Sequence, residues 1–285
     1  MKVVITGALG LLGTVATQFL VDAGHDVVAI DRITGAVPKG VELRVGDLED
    51  LDFVQRSING AEAVVHLAAI PNPLPGQEYG VFRNNVLSTF TVFNAAAEAG
   101  CKTVAYASSL SIYGTAWSPE WTSPVYVPMD ESHPIVYSES YALSKEVAEL
   151  TALDWSRRSN TAFVGFRFPY TNSAEDILNC ARLLKNEDPV FNPRAAKILW
   201  AYLDRRDAAA ALELAIRSAI TGAKVYNIAA PDTMATRTTE SLVKQYHPTT
   251  TFRGDFSGHQ SLVSSQLWLG EMGYHPRFLL NRSLI

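Results

Sequence analysis

The apolar run Lys2-Val3-Val4-Ile5-Thr6 passes straight into Gly7-Ala8-Leu9-Gly10-Leu11-Leu12-Gly13, three glycines at three-residue spacing. With 18 glycines in 285 residues, about 0.07 such triplets are expected by chance anywhere in the chain, so the spacing carries information. The run before it reads as a buried strand and Leu12 to Ala23 as a helix, which puts the motif where a strand hands over to a helix. There Gly7 permits a tight turn, Gly10 lets a pyrophosphate approach the backbone, and Gly13 lets helix and strand pack closely. The anion rests on N–H groups and the positive dipole end of the helix, with Leu11 and Leu12 among the contacts. The competing reading is a Gly-rich turn needed only for packing.

The chain keeps the same rhythm beyond this helix. His25 to Asp31, Val41 to Val45, Ala63 to Leu67 and Thr103 to Ala107 are apolar runs of strand length, with helical patterns between most of them, the longest from about Gly80 to Ala99. Continuous rather than alternating hydrophobicity marks strands buried on both faces, so the expected fold is α/β, a doubly wound parallel sheet. Tyr113 to Pro134, with four prolines, Trp117 and Trp121, reads as a long loop that either walls a site or packs as a surface flap. A helix from Glu139 to Arg158 and a strand from Ala162 to Arg167 resume the alternation. Beyond them a helix is expected over Ala174 to Lys185, a strand over Lys197 to Tyr202, a helix over Arg205 to Ile220 and a last strand over Lys224 to Ile228. Residues 1–167 with about 198–228 are expected to form a dinucleotide-binding domain. Residues 168–197 and 229–285 are left for a small substrate-binding region.

Composition removes other classes. The net charge is −5, from 29 acidic and 24 basic residues with no basic run, which speaks against a nucleic-acid partner. Two cysteines, Cys101 and Cys180, make neither a disulfide framework nor a four-ligand metal site and read as small buried hydrophobes, so no metal is expected. No apolar stretch approaches the ~20 residues that cross a bilayer. Met1-Lys2 runs into a strand with no cleavage region, so a cytoplasmic chain without membrane attachment is expected.

Asp31 ends the second strand, where a carboxylate accepts hydrogen bonds from both ribose hydroxyls of NAD and repels the 2′-phosphate of NADP. Arg32 blurs this, because a guanidinium at that edge pairs with such a phosphate. NAD is the expected cofactor over NADP. Asp47-Leu48 suits either the adenine amino group or a helix cap. Further along, Tyr141 and Lys145 stand four apart, on one face of a helix. Chance alone supplies about 0.3 such pairs in this composition, so the pair gains its weight from Ser108 and Ser109 directly after a buried strand, where a parallel sheet faces its crevice. Removing a proton from a carbinol asks for a phenol favoured as phenolate by a neighbouring ammonium, and for a hydroxyl such as that of Ser109 to orient the substrate.

Together these residues resemble the extended short-chain dehydrogenase/reductases, the NAD-dependent epimerase/dehydratase family, whose nucleotide-binding domain is of Rossmann type. The resemblance runs through Thr6-Gly7-Ala8 and the three glycines, Asp31, Asp47-Leu48, His66-Leu67-Ala68-Ala69, Asn85-Val86 with Thr89, Ser108-Ser109, Tyr113-Gly114 and Tyr141 to Lys145. It continues in Tyr202 to Ala208 and Leu269-Gly270 to Pro276. It implies NAD-linked redox at a sugar-like carbon, with Tyr141 as acid/base, Ser109 as its partner and Lys145 on the nicotinamide ribose. Leu67, Ala68, Ala69, Ala107, Ser108 and Phe168 are implied to line the cofactor, and Asn85 to brace the active-site strands. The long helices Gly80–Ala99 and Glu139–Arg158 resemble the pair that forms a dimer interface in this family, so a homodimer is expected.

Departures from the family pattern narrow the chemistry. Dehydratases of the family carry Asp-Glu where this chain has Leu110 and Ser111, so water elimination is not expected. Nucleotide-sugar epimerases follow the sixth strand with Arg-Tyr-Phe-Asn, whose Asn binds the phosphates. Here the chain reads Arg167-Phe168-Pro169-Tyr170, with Asn172 nearby. The expected activity is NAD-dependent oxidation of a hydroxyl or hemiacetal of a small carbohydrate or sugar acid, with a sugar epimerase that retains its NAD as the alternative. A redox-sensing binding protein is disfavoured by the presence of both Tyr141 and Lys145. His66 is expected to be a packed sheet histidine, His133 a candidate substrate contact, and Arg167 with Asp207 a structural pair. Arg182, Arg194 and Arg253 are candidates for gripping an anion.

Overall fold

Val3, Val4, Ile5, Ala29, Ile30, Val64, Val65, Val104 and Ala105 are all fully or almost fully buried, as strands covered on both faces must be. A computed structural model describes residues 1–186 and 193–285. Residues 187–192, within the stretch 168–197 assigned to substrate binding, lie outside the described residues. The first elements are β1 (Lys2–Thr6), α1 (Leu11–Asp22), β2 (Asp26–Asp31), β3 (Glu42–Val45), α2 (Leu51–Ile58), β4 (Ala63–His66), α3 (Glu78–Glu98) and β5 (Thr103–Ser109). Next come β6 (Tyr126–Val127), α4 (Ser140–Arg158), β7 (Ala162–Phe168), β8 (Tyr170–Asn172), α5 (Ala174–Asn186), α6 (Pro193–Lys197) and β9 (Tyr202–Asp204). The chain closes with α7 (Arg205–Arg217), β10 (Ala223–Asn227), α8 (Thr239–Tyr246), β11 (Thr251–Phe252) and α9 (Gln266–Met272).

Seven strands form one sheet in the order β10-β7-β5-β4-β1-β2-β3. β1 pairs in parallel with β2 and β4, β2 with β3, and β4 with β5. The strand order reverses after β3, where the chain crosses back to β4 on the other side of β1, and such a switch point opens a crevice at the strand C-termini. This is the doubly wound α/β fold that the sequence predicts.

The chain divides into two compact units. The first comprises 1–108, 140–166 and 208–225. Its core is centred on Phe93 of α3, whose ring meets Tyr106 of β5 at 5.1 Å, Phe163 of β7 at 5.0 Å and His66 of β4 at 5.8 Å between centroids. Burying a ring of that size contributes about 2–3 kcal/mol. The second unit comprises 109–139, 167–207 and 226–285. It holds the two-stranded parallel pairs β6–β11 and β8–β9 around a core that includes Ile112, Tyr113, Met129, Trp200 and Tyr202.

One element departs from the sequence expectation. The stretch Lys197 to Tyr202 is not a strand. Leu199 and Trp200 adopt left-handed backbone with φ of 57° and 50°, and Trp200 N–H and Leu199 N–H bond back to the carbonyls of Ala195 and Ala196. That is the closing hydrogen-bond pattern of a helix end, and the extended chain resumes at Tyr202.

Candidate active site

The glycine turn is forced by space as well as by conformation. Gly7 has φ of 68°, and a Cβ there would lie 2.7 Å from the backbone nitrogen of Ala68. A Cβ on Gly13 would lie 2.0 Å from the carbonyl oxygen of Gly7, so the helix and the strand meet backbone to backbone. Gly10 N–H closes the turn onto that same oxygen at 3.0 Å. The helix α1 begins with no side-chain cap and no acidic residue in its first turn, which leaves its positive end to an anion.

In front of this turn lies a cleft of about 350 Å³, within the ~300–1,000 Å³ typical of small-molecule sites. Gly7, Gly10, Asp31, Arg32, Asp47, Leu48, Leu67, Ala68 and Ala69, all among the residues expected at the cofactor, line it. Leu9, Ile33, Gly46, Ile70, Pro71, Asn84 and Ser88 line it as well and were not foreseen. Asn84 and Ser88 are four apart on α3, and the Ser88 hydroxyl donates to the Asn84 carbonyl at 2.6 Å. Their i,i+4 spacing beside Asn85 is the signal that could have found them.

The polar groups of the cleft are held firmly. Asp31 accepts the N–H of Leu9 at 2.9 Å on one carboxylate oxygen and the N–H of Arg32 at 2.8 Å on the other. Asp47 accepts Glu49 N–H at 2.9 Å, while the cap of α2 is Asp50, which accepts Phe53 N–H at 3.0 Å. The cap alternative for Asp47 therefore falls to Asp50. Asn85 donates to Ile70 O and Ser144 Oγ, both at 3.1 Å, and accepts from Ile70 N–H at 2.8 Å and Asn84 Nδ2 at 3.0 Å. With its amide fully used, Asn85 acts on the cleft by tying the Ile70 wall to α4. Bare backbone at a glycine turn, an uncapped helix start and a fixed carboxylate at the end of β2 together fit an adenine dinucleotide.

Tyr141 and Lys145 share a face of α4. The Lys145 ammonium stands 5.6 Å from the Tyr141 ring centroid and donates to the carbonyl of Ala107 at 2.8 Å. Burial pulls the lysine down to about 8, against the opposing charge of Glu149. Glu149 also accepts the hydroxyl of Ser108 at 2.5 Å. Ser109, the last residue of β5, accepts Ser111 N–H at 3.1 Å on its side-chain oxygen. Leu11 and Leu12 open α1, Gly13 is buried, and Phe168 ends β7 as a buried ring.

His66 is the packed histidine that was expected. Its ring nitrogens meet the hydroxyls of Thr6 at 2.8 Å and Thr89 at 3.1 Å, and burial holds it neutral, down to about 3. Cys101 is likewise inert, its thiol donating to Ala61 O and pushed up to about 11 by burial.

Several expectations for the second unit change. His133 is not available as a substrate contact: its Nε2 accepts Val125 N–H at 3.0 Å, so the proton sits on Nδ1 and is donated to Pro134 O at 3.0 Å. Trp121 is a packing residue, stacked on His247 at 5.5 Å with its N–H donated to Tyr246 O. Arg167 bonds the Tyr113 hydroxyl at 2.8 Å, whereas Asp207 accepts Tyr274 Oη, Arg277 N–H and Phe278 N–H. Of the three arginines offered for an anion, Arg182 donates to Leu284 O, Arg194 lies over Trp117 and Arg253 over Tyr126. Asn172 donates to Tyr170 Oη and accepts Ser173 N–H, so its amide is engaged locally.

Among the described residues no cluster of His, Cys, Asp and Glu could hold a metal ion, and no helix is long and apolar enough to cross a membrane. The sequence pattern of the NAD dependent epimerase/dehydratase family matches residues 3–229. The chain belongs to this family. It is 30% identical over 155 residues to a UDP-glucose 4-epimerase of Streptomyces lividans, covering 50% of this chain and 44% of that protein. It is 26% identical over 181 residues to an L-arabinose 1-dehydrogenase (NAD(P)(+)) of Haloferax volcanii, covering 62% and 69%. The chain spans about half the length of the UDP-glucose 4-epimerases it matches, 44% and 50% for those of Streptomyces lividans and Corynebacterium glutamicum. Among solved structures, MoeE5 in complex with UDP-glucose and NAD superposes with a TM-score of 0.74 at 24% identity, over 100% of this chain and 96% of that one. The family is NAD dependent, and the cleft fits that cofactor.

Proposed function

We propose that this protein oxidises a carbinol or hemiacetal carbon of a small carbohydrate or sugar acid, using NAD. The observation that carries the reading is the buried Lys145 ammonium, fixed by Ala107 O beside the Tyr141 ring. A positive charge beside the ring favours the phenolate over the phenol. Tyr141 takes the substrate hydroxyl proton, and Ser109, with a hydroxyl proton of its own, orients the substrate oxygen. NAD bound over Gly7, Gly10 and Gly13 supplies the acceptor for the carbinol hydrogen and its electron pair. Asp31 receives the ribose hydroxyls, and the second unit, in segments 168–197 and 229–285, carries substrate recognition.

Net dehydrogenation is favoured by the engaged Asn172 and by Tyr170 at the position of the phosphate-binding asparagine. Epimerisation is favoured by the UDP-glucose 4-epimerases among the relatives. The two share the first step and differ in whether the same carbon is reduced again. Incubation with NAD and a panel of free sugars, uronic acids and nucleotide sugars separates them. NADH accumulating with one class supports dehydrogenation. Interconversion of sugars with NAD retained supports the epimerase, and neither change refutes both.

Homodimerisation belongs to the same proposal. Leu87 and Phe90 of α3 and Leu150 and Leu153 of α4 are 42, 48, 57 and 39% exposed, an apolar face on two adjacent helices. A monomer by light scattering would contradict it.

A further inference from the structure

The guanidinium of Arg32 does not project freely from the rim of the cleft. Its Nη2 donates to Oδ1 of Asn84 at 2.5 Å, which joins the end of β2 to α3 across the cleft that both residues line. The Asn84 amide cannot turn to release it cheaply. Its Nδ2 donates to Asn85 Oδ1 at 3.0 Å, and Asn85 has its remaining polar positions filled by Ile70 and Ser144. The backbone of Arg32 is fixed as well, through its N–H on Asp31. The cation at the ribose end of the cleft is thus held at its root by Asp31 and at its tip by Asn84.

We propose that Asn84 is a specificity-determining residue, which sets cofactor preference by occupying the Arg32 guanidinium that a ribose 2′-phosphate would need. This rests on the reading of the cleft as the NAD site. A 2′-phosphate is recognised by charge-assisted, paired N–H donors. Asn84 takes one Nη2–H and fixes the plane of the guanidinium, so Arg32 turns a pair of donors onto a 2′-phosphate through that nitrogen only by giving up the bond. A ribose 2′-hydroxyl makes no such demand, since Asp31 accepts from it whatever Arg32 does. Asp31 repels the phosphate in any case, so the latch adds to a preference that the carboxylate begins.

The test is equilibrium titration with NADH and NADPH, followed by cofactor fluorescence in the absence of any substrate, on wild type, Asn84→Ala, Arg32→Ala and the double variant. Asn84→Ala is expected to tighten NADPH about five- to tenfold, the scale of one charged hydrogen bond regained, while NADH moves by less than about twofold. The double variant should lose that gain, because the freed guanidinium is its source. Asn84→Ser keeps a donor for Asn85 on a side chain too short to reach Arg32, and should repeat the effect if Asn84→Ala is poorly folded. Unchanged NADPH affinity in both Asn84 variants, or equal tightening of both cofactors, overturns the inference and leaves the NAD site standing. Wild type that binds neither cofactor overturns the site and the inference together.

Discussion

A buried ammonium at Lys145 is held at the expense of stability, and Lys145→Met should expose the cost. The side chain is 7% exposed, and burial lowers it from an ordinary 10.5 to about 8. Holding the charged form in that environment costs roughly 3 kcal/mol at neutral pH. Methionine of similar length removes the cost but leaves Ala107 O without its donor, which returns about 1–2 kcal/mol. The net expectation is a variant about 1–2 kcal/mol more stable than wild type near pH 7.5. The sign of the pH dependence follows from the direction of the shift. The unfolded chain binds the lysine proton more tightly, so the handicap is full below about pH 8 and fades as the pH rises toward the unfolded value. By about pH 10 the advantage of the variant should have vanished. Urea unfolding of both proteins at the two pH values, without added cofactor, measures the difference, and turnover of the variant should collapse. A variant less stable than wild type near pH 7.5, or an advantage that persists undiminished at pH 10, would refute the reasoning.

Four further substitutions test the same geometry. Tyr141→Phe should lower kcat by at least about a hundredfold, the scale of lost acid–base catalysis, while the NADH dissociation constant stays within about twofold; normal turnover removes Tyr141 from the chemistry. Gly13→Ala places a carbon 2.0 Å from Gly7 O and should cost more than about 3 kcal/mol in unfolding measurements. Gly80→Ala, on α3 with open space around it, should gain about 0.5–1 kcal/mol, so equal effects at the two glycines would contradict the packing argument. His66 is held down to about 3, so the unfolded chain takes up its proton first as the pH falls below about 6.5, and stability drops by about 1.4 kcal/mol per pH unit. His66→Gln should flatten that slope between about pH 6 and pH 4 in urea titrations, and parallel profiles would speak against it.

The parts of this fold that were legible in sequence are those where one residue type is physically compelled. Gly7 and Gly13 have no substitute where backbone meets backbone, and strands buried on both faces must be apolar throughout, so the glycine turn and the central sheet could be read directly. Tyr141 and Lys145 were legible because helical spacing puts them on one face and Ser108 and Ser109 follow directly after a buried strand. Where the structure depends on a contact distant in sequence, the chain was silent. Leu199 and Trp200 have the apolar character of a strand, yet they close a helix in left-handed backbone. His133, just before Pro134 and near the helix of Tyr141 and Lys145, looked like a substrate ligand, but a backbone N–H from Val125 and its own neighbour's carbonyl consume both ring nitrogens. Arg182, Arg194 and Arg253 carry the charge that an anion needs, and the carbonyl or aromatic face that each meets lies far along the chain from it. Asn84 and Ser88 escaped notice because two polar residues on a long helix look like solvent-facing positions until the partner wall of the cleft is known.

The central claim is that the hydrogen of a sugar carbinol leaves for NAD while Tyr141 takes the hydroxyl proton. The most direct test uses the substrate that the sugar panel identifies, deuterated at the reacting carbon. A primary isotope effect on turnover is expected and, where NADH accumulates, deuterium in the reduced cofactor, with the transfer slowed at least about a hundredfold in Tyr141→Phe. Turnover of the deuterated sugar with no label in the cofactor and no isotope effect in wild type or in a slowed variant would contradict it.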